Sequence, residues 1–373
     1  MLNPEQTDAD YLARAFVLAE YGRYTAHPNP CVGCVLVQQD NIVGEGYHVS
    51  AGSSHAEANA LSQAGQRAKG ATAYVTLEPC SFHGRTPSCA HALVTAGVSR
   101  VVVATLDPDP RNAGAGCKVL EDAGISVVTP LMEASAKAII PGHFKRHETG
   151  MPYVRLKLAM SLDGKTALAN GKSQWLTSEA ARLDVQRLRA RSAAIVTGVQ
   201  SVIDDDPLLS VRNLRHRHAD LACELVKPVF ILDSHCRVPD TAKILSNPGA
   251  QLVYCHPSSR KLPVPVIQVG AGDDGRVDLR ELLRVLGEQQ CSEVLFECGA
   301  TLAGSLVEQG LFDELVIYMA PTFMGSDARS LLNVPEIAKM EDLLQLRIAD
   351  VRIIGRDMRV TVVKDVDSSD ISE

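Results

Sequence analysis

The sequence has no run of 18 consecutive apolar residues, and its first 30 positions lack the basic-then-apolar layout of a secretory signal. Neither a membrane span nor export is therefore expected, and the cytoplasm is the default compartment. Aromatic residues are scarce at 4%, and no basic excess exists: 37 Lys and Arg against 44 Asp and Glu leave a net charge of −7. A nucleic-acid groove needs cationic surface and stacking rings, so neither nucleic acid nor membrane is an expected partner. A small phosphorylated ligand stays compatible, because a few placed arginines suffice to hold it. The ten cysteines follow no framework spacing. In a reducing compartment they read as core residues or metal ligands, not disulfides. Beyond residue 150 no G-x-G-x-x-G follows a strand pattern, so the standard dinucleotide fingerprint is missing.

What is present is enough for two domains: 373 residues, 46% hydrophobic and 22% charged, the composition of an ordinary globular chain. Asp8 is positioned to cap a first helix with Leu12, Ala15, Phe16 and Ala19 on one face and Gly22 at its end. A hairpin over 31–37 and 41–49, a helix over 56–67, and a strand over 73–77 follow. Helix 90–96, strand 100–104, helix 115–122 and strand 126–128 continue the alternation, which implies a mixed sheet sandwiched by helices. The polar segment 143-HFKRHETGMP-152 marks a boundary, giving domains 1–148 and 149–373. The second half alternates again: strand 153–159, helix 178–190, strands 193–197, 227–232 and 251–255, helix 279–288, strand 293–297, helix 302–309, strand 314–320 and a terminal hairpin over 348–363. Residues 213–226 and 257–275 carry no motif.

The strongest chemical signal is 55-HAE-57 together with 79-PCSFHGRTPSC-89. Hydrolytic deamination needs a water made nucleophilic at neutral pH, and a zinc with three protein ligands and an open position provides it. His55, Cys80 and Cys89 offer one imidazole and two thiolates. Glu57 is not needed as a ligand, and can move the proton from water to the ring nitrogen and then to the leaving ammonia. The zinc-deaminase signature is H-x-E…P-C-x-x-C, and here eight residues separate the two cysteines. Cys31-x-x-Cys34 lies in a β-patterned run where residues i and i+3 face opposite ways, which makes joint ligation awkward, so both cysteines read as packing residues.

The runs 76-TLEPCSFHGRTPSCAHAL-93, 27-HPNPCVGCVLV-37 and 44-GEGYH-48 resemble the deaminase half of the riboflavin-biosynthesis bifunctional deaminase–reductases, a family in which the longer cysteine spacing is the rule. The resemblance implies a cytidine-deaminase-like N-terminal fold. It also implies that the loop of His83, Gly84 and Arg85 faces the substrate, that Asn29 holds the pyrimidine edge, and that His48 assists.

In the second half, 293-EVLFECGATLAGSL-306 runs from an apolar strand through a small-residue turn into a helix. Backbone N–H groups there can meet a phosphate, although close packing accounts for small residues equally well. Segments 156-LKLAMSLDGKTA-167, 173-SQWLTSEAARLDVQRLRA-190, 204-DDDPLLSVR-212, 228-PVFILDS-234 and 320-APTFMGSDA-328 resemble successive blocks of the same family's reductase domain. That domain has a dihydrofolate-reductase-like α/β fold and uses NADPH. The resemblance implies a cofactor site from Ala159, Trp175, Ser201, Asp205, Ser234, Gly299, Ala300, Thr301, Leu302, Ala303, Gly304 and Ser305. It implies a substrate site from Ser173, Arg189, Leu209, Arg212 and Glu297, with Lys157 near the reacting centre. Arg189 and Arg212 suit bidentate phosphate binding. The expected partners are a phosphorylated pyrimidine, one zinc per chain, NADPH, and further copies of the chain as a dimer or tetramer. A nucleic-acid deaminase with an appended domain shares the zinc chemistry but predicts a basic groove. A binding protein with structural zinc would fill all four metal positions and leave Glu57 without a task.

Overall fold

Thr7 opens the first helix, and its hydroxyl accepts from the Asp10 N–H while the Asp10 carboxylate accepts from the Thr7 N–H. The cap is thus one residue earlier than the sequence pattern suggested, because a reciprocal capping box satisfies two N-terminal groups where Asp8 alone would satisfy one. The computed structural model describes residues 7–82, 88–212, 214, 225–256 and 260–364. It divides into two compact units, Met1–Met151 and Pro152–Glu373.

The first unit runs α1 (Asp8–Tyr21), β1 (Gly33–Gln38), β2 (Asn41–Tyr47), α2 (Ala56–Ala64), β3 (Thr72–Val75), α3 (Cys89–Ala96), β4 (Arg100–Val103), α4 (Ala115–Asp122), β5 (Ser126–Val128), α5 (Glu133–Ile139) and α6 (Pro141–Thr149). Its sheet has the order β2-β1-β3-β4-β5, with β1 antiparallel to both neighbours and β3, β4 and β5 parallel. One apolar layer gathers Leu12, Ala15, Phe16, Val35 and Tyr74 under α1. The opposite layer gathers Leu36, Ala56, Ala60, Val75, Leu93 and Leu120 under α2, α3 and α4. A Cβ on Gly46 would lie 2.2 Å from the Ala56 carbonyl oxygen, so only glycine lets α2 press onto β2 at this distance. Cys31 and Cys34 pack into different clusters, as strand alternation requires.

The polar run that suggests a boundary in the sequence is largely helical. In α6 Pro141 occupies the first turn, where its missing N–H costs nothing, and Gly150 ends the helix at φ 74°. His143 and Phe144 are buried although the segment as a whole is hydrophilic.

The second unit runs β6 (Tyr153–Ser161), β7 (Lys165–Ala167), α7 (Glu179–Arg191), β8 (Ala194–Gly198), α8 (Val199–Asp205), β9 (Val229–Leu232), β10 (Ala250–Tyr254), β11 (Val266–Gln268), α9 (Leu279–Glu288), β12 (Glu293–Glu297), α10 (Ala300–Glu308), β13 (Glu314–Ala320), β14 (Arg329–Ser330), β15 (Leu346–Ile354) and β16 (Asp357–Lys364). Nine strands form one sheet in the order β11-β10-β9-β8-β12-β6-β13-β16-β15, parallel from β11 to β13 and closed by an antiparallel hairpin. The central strands are buried on both faces, and Val294, Leu295 and Phe296 of β12 are each 0% exposed. This is why the strand reads as a continuous apolar run without alternation. Strand β12 enters between β8 and β6, so the carboxyl ends of β6, β8, β9 and β12 open together at a switch in strand order, the place where α/β sheets bind ligands.

Candidate active site

In the first unit the chemistry gathers where two helices begin. His55 is the N-cap of α2, with extended backbone, and Glu57 sits in that helix's first turn. Cys80 follows β3, and Cys89 is the first residue of α3, whose N-cap Ser88 accepts from the His91 N–H. The His55 Nδ1 atom lies 3.7 Å from Cys80 Sγ and 3.3 Å from Cys89 Sγ, and the three ligand atoms all fall within 4.8 Å of one another. Zinc bonds of about 2.3 Å to sulfur and about 2.0 Å to nitrogen, set at tetrahedral angles, place such donors roughly 3.5–3.8 Å apart. The donor set therefore fits one zinc, with three ligands among the described residues. The Cys89 N–H also donates to Cys80 Sγ at 3.3 Å, and hydrogen bonding from Cys89 and His55 draws the Cys80 thiol below its usual range.

Glu57 is 3% exposed, and its carboxyl is within hydrogen-bonding reach of Cys89. Burial pushes its pKa up, and the charge of Cys80 adds to the push. A buried carboxyl raised toward neutrality beside a metal site suits a group that must both accept and return a proton. Asn29 donates from Nδ2 to His48 Nε2 at 3.0 Å, and His48 Nδ1 faces the Ser54 carbonyl at 3.2 Å. The imidazole fixes the amide orientation, and the His48 and His55 rings meet edge to face at 5.2 Å. His83, Gly84 and Arg85 lie outside the described residues.

In the second unit a cleft of about 2230 Å³ opens at the carboxyl ends of the central strands. Of the residues the resemblance pointed to, Lys157 and Ala159 from β6, Ser173 and Trp175 from the following loop, and Arg189 from α7 line it. Ser201 and Asp205 from α8, Leu209 and Arg212 beyond it, Ser234 after β9, and Glu297, Gly299, Ala300, Thr301, Leu302 and Ser305 around the β12–α10 turn line it as well. Ala303 and Gly304 do not. Ala303 is fully buried, and a Cβ on Gly304 would strike the Asn333 carbonyl oxygen at 1.9 Å. The helix begins at Ala300, two residues earlier than the sequence pattern suggested, and its turn carries these two positions to the inner face.

Arg189 differs from expectation. Its fork is engaged by Glu297, with Nε donating to Oε1 at 2.6 Å and an Nη donating to Oε2 at 3.0 Å, while the other Nη donates to the Ser210 carbonyl at 3.0 Å. Burial pushes the Glu297 carboxyl up, but Arg189 outweighs it and holds the pKa below the usual range. Lys157 is lowered by burial, against a partly compensating pull from Glu297. Arg212 keeps an exposed side chain at the cleft, its backbone N–H held by Gln186. Trp175 is 68% exposed, with the Arg182 guanidinium 4.5 Å from its ring centroid, so it is a surface residue of the cleft and not core. Ser173 donates to Asp205 at 3.0 Å, and the Ser234 hydroxyl accepts from the Val277 N–H at 3.1 Å. Sequence reasoning passed over Gln186, and Thr197, whose hydroxyl donates to the Glu297 carbonyl at 2.7 Å. Gln186 lies inside the resembling segment 173–190 without a role implied there, and Thr197 lies outside every such segment; the packing of α7 and β8 beside β12 reveals both.

Fold and sites together define a two-site enzyme: a zinc-type deaminase unit followed by a reductase unit built to hold a nicotinamide cofactor. Residues 5–105 match the cytidine and deoxycytidylate deaminase zinc-binding region, and residues 152–360 match the RibD C-terminal domain. The riboflavin biosynthesis protein RibD of Escherichia coli is 47% identical, covering 95% of this chain and 99% of its own. That of Haemophilus influenzae is 45% identical, over 97% and 98%. Among solved structures, RibD of Acinetobacter baumannii superposes with a TM-score of 0.89 at 43% identity, covering 96% of this chain and 99% of its own. A diaminohydroxyphosphoribosylaminopyrimidine deaminase/5-amino-6-(5-phosphoribosylamino)uracil reductase of Thermotoga maritima superposes at 0.84 with 26% identity, over 96% and 99%. The chain belongs to the RibD family, the bifunctional deaminase–reductases of riboflavin biosynthesis.

Proposed function

We propose that residues 1–148 deaminate 2,5-diamino-6-(5-phosphoribosylamino)pyrimidin-4-one, and that residues 149–373 reduce the resulting 5-amino-6-(5-phosphoribosylamino)uracil with NADPH, converting ribosyl to ribityl. One observation carries the first half: an imidazole and two thiols converge on a common point beside a buried carboxyl raised above its usual pKa.

One zinc per chain is held by His55 Nδ1, Cys80 Sγ and Cys89 Sγ; when bound, it supplies the Lewis acidity that makes a water acidic at neutral pH. Glu57 takes that water's proton, gives it to the ring nitrogen, and next protonates the departing ammonia. Asn29, with its amide N–H committed to His48, presents its carbonyl oxygen to the pyrimidine edge. The family resemblance assigns His83 and Arg85 to substrate recognition.

In the reductase half, bound NADPH would supply the hydride that reduces the ribosyl C1 of the ring-opened substrate. The N-terminus of α10 with Ser305, and the side chains of Trp175, Ser201, Asp205 and Ser234, hold the cofactor. Ser173, Leu209 and Arg212 hold the substrate. Arg189 acts there through Glu297, keeping it ionised to accept from ribose hydroxyls or the imine N–H, and Lys157 sits beside both. The chain works in the cytoplasm as a homo-oligomer, a reading supported by the exposed apolar side chains of Ile348, Val351 and Ile353 on the outer strand β15.

The test is incubation of purified protein with the diaminopyrimidine ribosyl phosphate, with and without NADPH, followed by mass analysis. Deaminated product alone should accumulate without NADPH, and the ribityl product with it. Ammonia release at full rate by metal-stripped protein would overturn the zinc reading, and equal rates with NADH the cofactor preference.

A further inference from the structure

One buried carboxylate in the first unit belongs to neither the metal ligands nor the proton path. Glu78 is 3% exposed and, among the described residues, accepts four backbone N–H groups. One oxygen takes Gly116 at 2.8 Å and Cys117 at 3.1 Å, and the other takes Gly114 at 2.9 Å and Asp107 at 3.1 Å. Three of these donors open α4, whose N-cap, Gly114, has no side chain with which to cap it. A carboxylate placed against a helix N-terminus satisfies both the free donors and the dipole.

This bonding binds α4 tightly to the segment that carries Cys80. A Cβ on Gly116 would lie 1.9 Å from the Pro79 carbonyl oxygen, so the helix start abuts the peptide immediately before the cysteine. Asn112, just ahead of α4, grips the other side: its Oδ1 accepts from the Ser81 N–H at 2.9 Å, and its Nδ2 faces the Pro79 carbonyl at 3.4 Å. The Cys80 carbonyl accepts from the Ser88 hydroxyl at 2.8 Å. The backbone around Cys80 is thus held on both sides, and the side chain is left to point at His55 and Cys89.

We propose that Glu78 is a positioning residue for the metal site: by locking α4 against Pro79 it sets where the Cys80 sulfur stands, and hence metal affinity and the rate of deamination. The proposal rests on the zinc reading above. In Glu78→Gln one oxygen becomes an N–H₂ group, so two of the four backbone donors must face a donor. Outer-shell partners of metal ligands typically govern affinity or activity by about 10–100-fold, and a change in that range is expected here.

The full chain, stripped of metal, is titrated with Co²⁺ while thiolate-to-cobalt and d–d absorption are followed. Wild type should give the intense bands of a tetrahedral thiolate site. Glu78→Gln should bind Co²⁺ about 10–100-fold more weakly with altered d–d intensity, and its deamination should fall in kcat with little change in KM. Glu78→Asp, which keeps the charge but withdraws it by one methylene, should fall between the two. Glu121→Gln, on the exposed face of α4, should match wild type, and reduction of pre-deaminated substrate should be unaffected throughout. A folded Glu78→Gln chain with wild-type cobalt affinity and spectrum overturns the proposal. If that variant's first unit fails to fold, Asn112→Ala decides: several-fold weaker cobalt binding supports the clamp, and unchanged binding overturns it. A wild-type chain that takes up no cobalt overturns the metal reading itself, and this proposal with it.

Discussion

Replacing Arg189 with Met keeps roughly the aliphatic stem of the side chain and removes its guanidinium. That group makes three hydrogen bonds, two of them to Glu297, and the pair's side chains are 12% and 10% exposed. Removing one partner of a buried ion pair costs roughly 3–5 kcal/mol when the remaining charge is left uncompensated. Here Lys157 also favours ionised Glu297, and the carboxyl can escape by taking a proton, so about 2–3 kcal/mol is the expected loss. For a domain of roughly 150–250 residues this lowers the melting temperature by about 5–10 °C. The pH dependence identifies the cause. In the native chain the Glu297 pKa is depressed, so its contribution is present above the unfolded-state value and lost as pH falls through the folded value. Without Arg189 burial prevails and the folded pKa rises, so the variant is penalised while the carboxyl must stay ionised and relieved once it protonates. The gap between wild type and Arg189→Met should therefore narrow as pH is lowered from about 8 to about 5. Calorimetry on the full chain reads this directly; chelation identifies the deaminase transition, which should not respond to the substitution. Adding Glu297→Gln should recover part of the loss. A gap below about 1 °C, or one indifferent to pH, would refute the reasoning.

Glu57→Gln should retain its metal while ammonia release falls by about 10²–10⁴-fold, with NADPH oxidation on pre-deaminated substrate intact. Parallel loss of both activities would contradict independent sites. Trp175→Ala should leave the melting temperature unchanged, since the ring is 68% exposed, yet weaken NADPH binding about tenfold in a fluorescence titration. Gly116→Ala drives a methyl group to 1.9 Å from the Pro79 oxygen. It should destabilise the deaminase unit by about 1–3 kcal/mol, measured by denaturant unfolding with the reductase transition as reference.

The division of labour between sequence and fold follows the range of the interactions. His55 and Glu57 stand two residues apart, and Cys80 follows His55 by 25, so the imidazole and two thiols that converge, and the buried carboxyl beside them, could be singled out from residue type and spacing alone. The strands β12 and β13 and the helix α9 were equally legible, because burial on one face or on both imprints a period or a run. The helix α6 was not, since its buried residues, Gly142, His143 and Phe144, sit in a hydrophilic stretch whose composition resembles a linker.

Partner choice was settled only in three dimensions. Arg189 meets Glu297 across 108 residues, and Glu78 meets α4 across 36 to 39. A guanidinium on an Arg-rich helix looks the same in sequence whether it awaits a phosphate or already holds a carboxylate. Ala303 and Gly304 belong to the same motif as the residues around them, and only the turn of α10 against Asn333 aims them away from the cleft. Residue type sets which bonds a side chain can make; packing of distant segments sets which of them it does make.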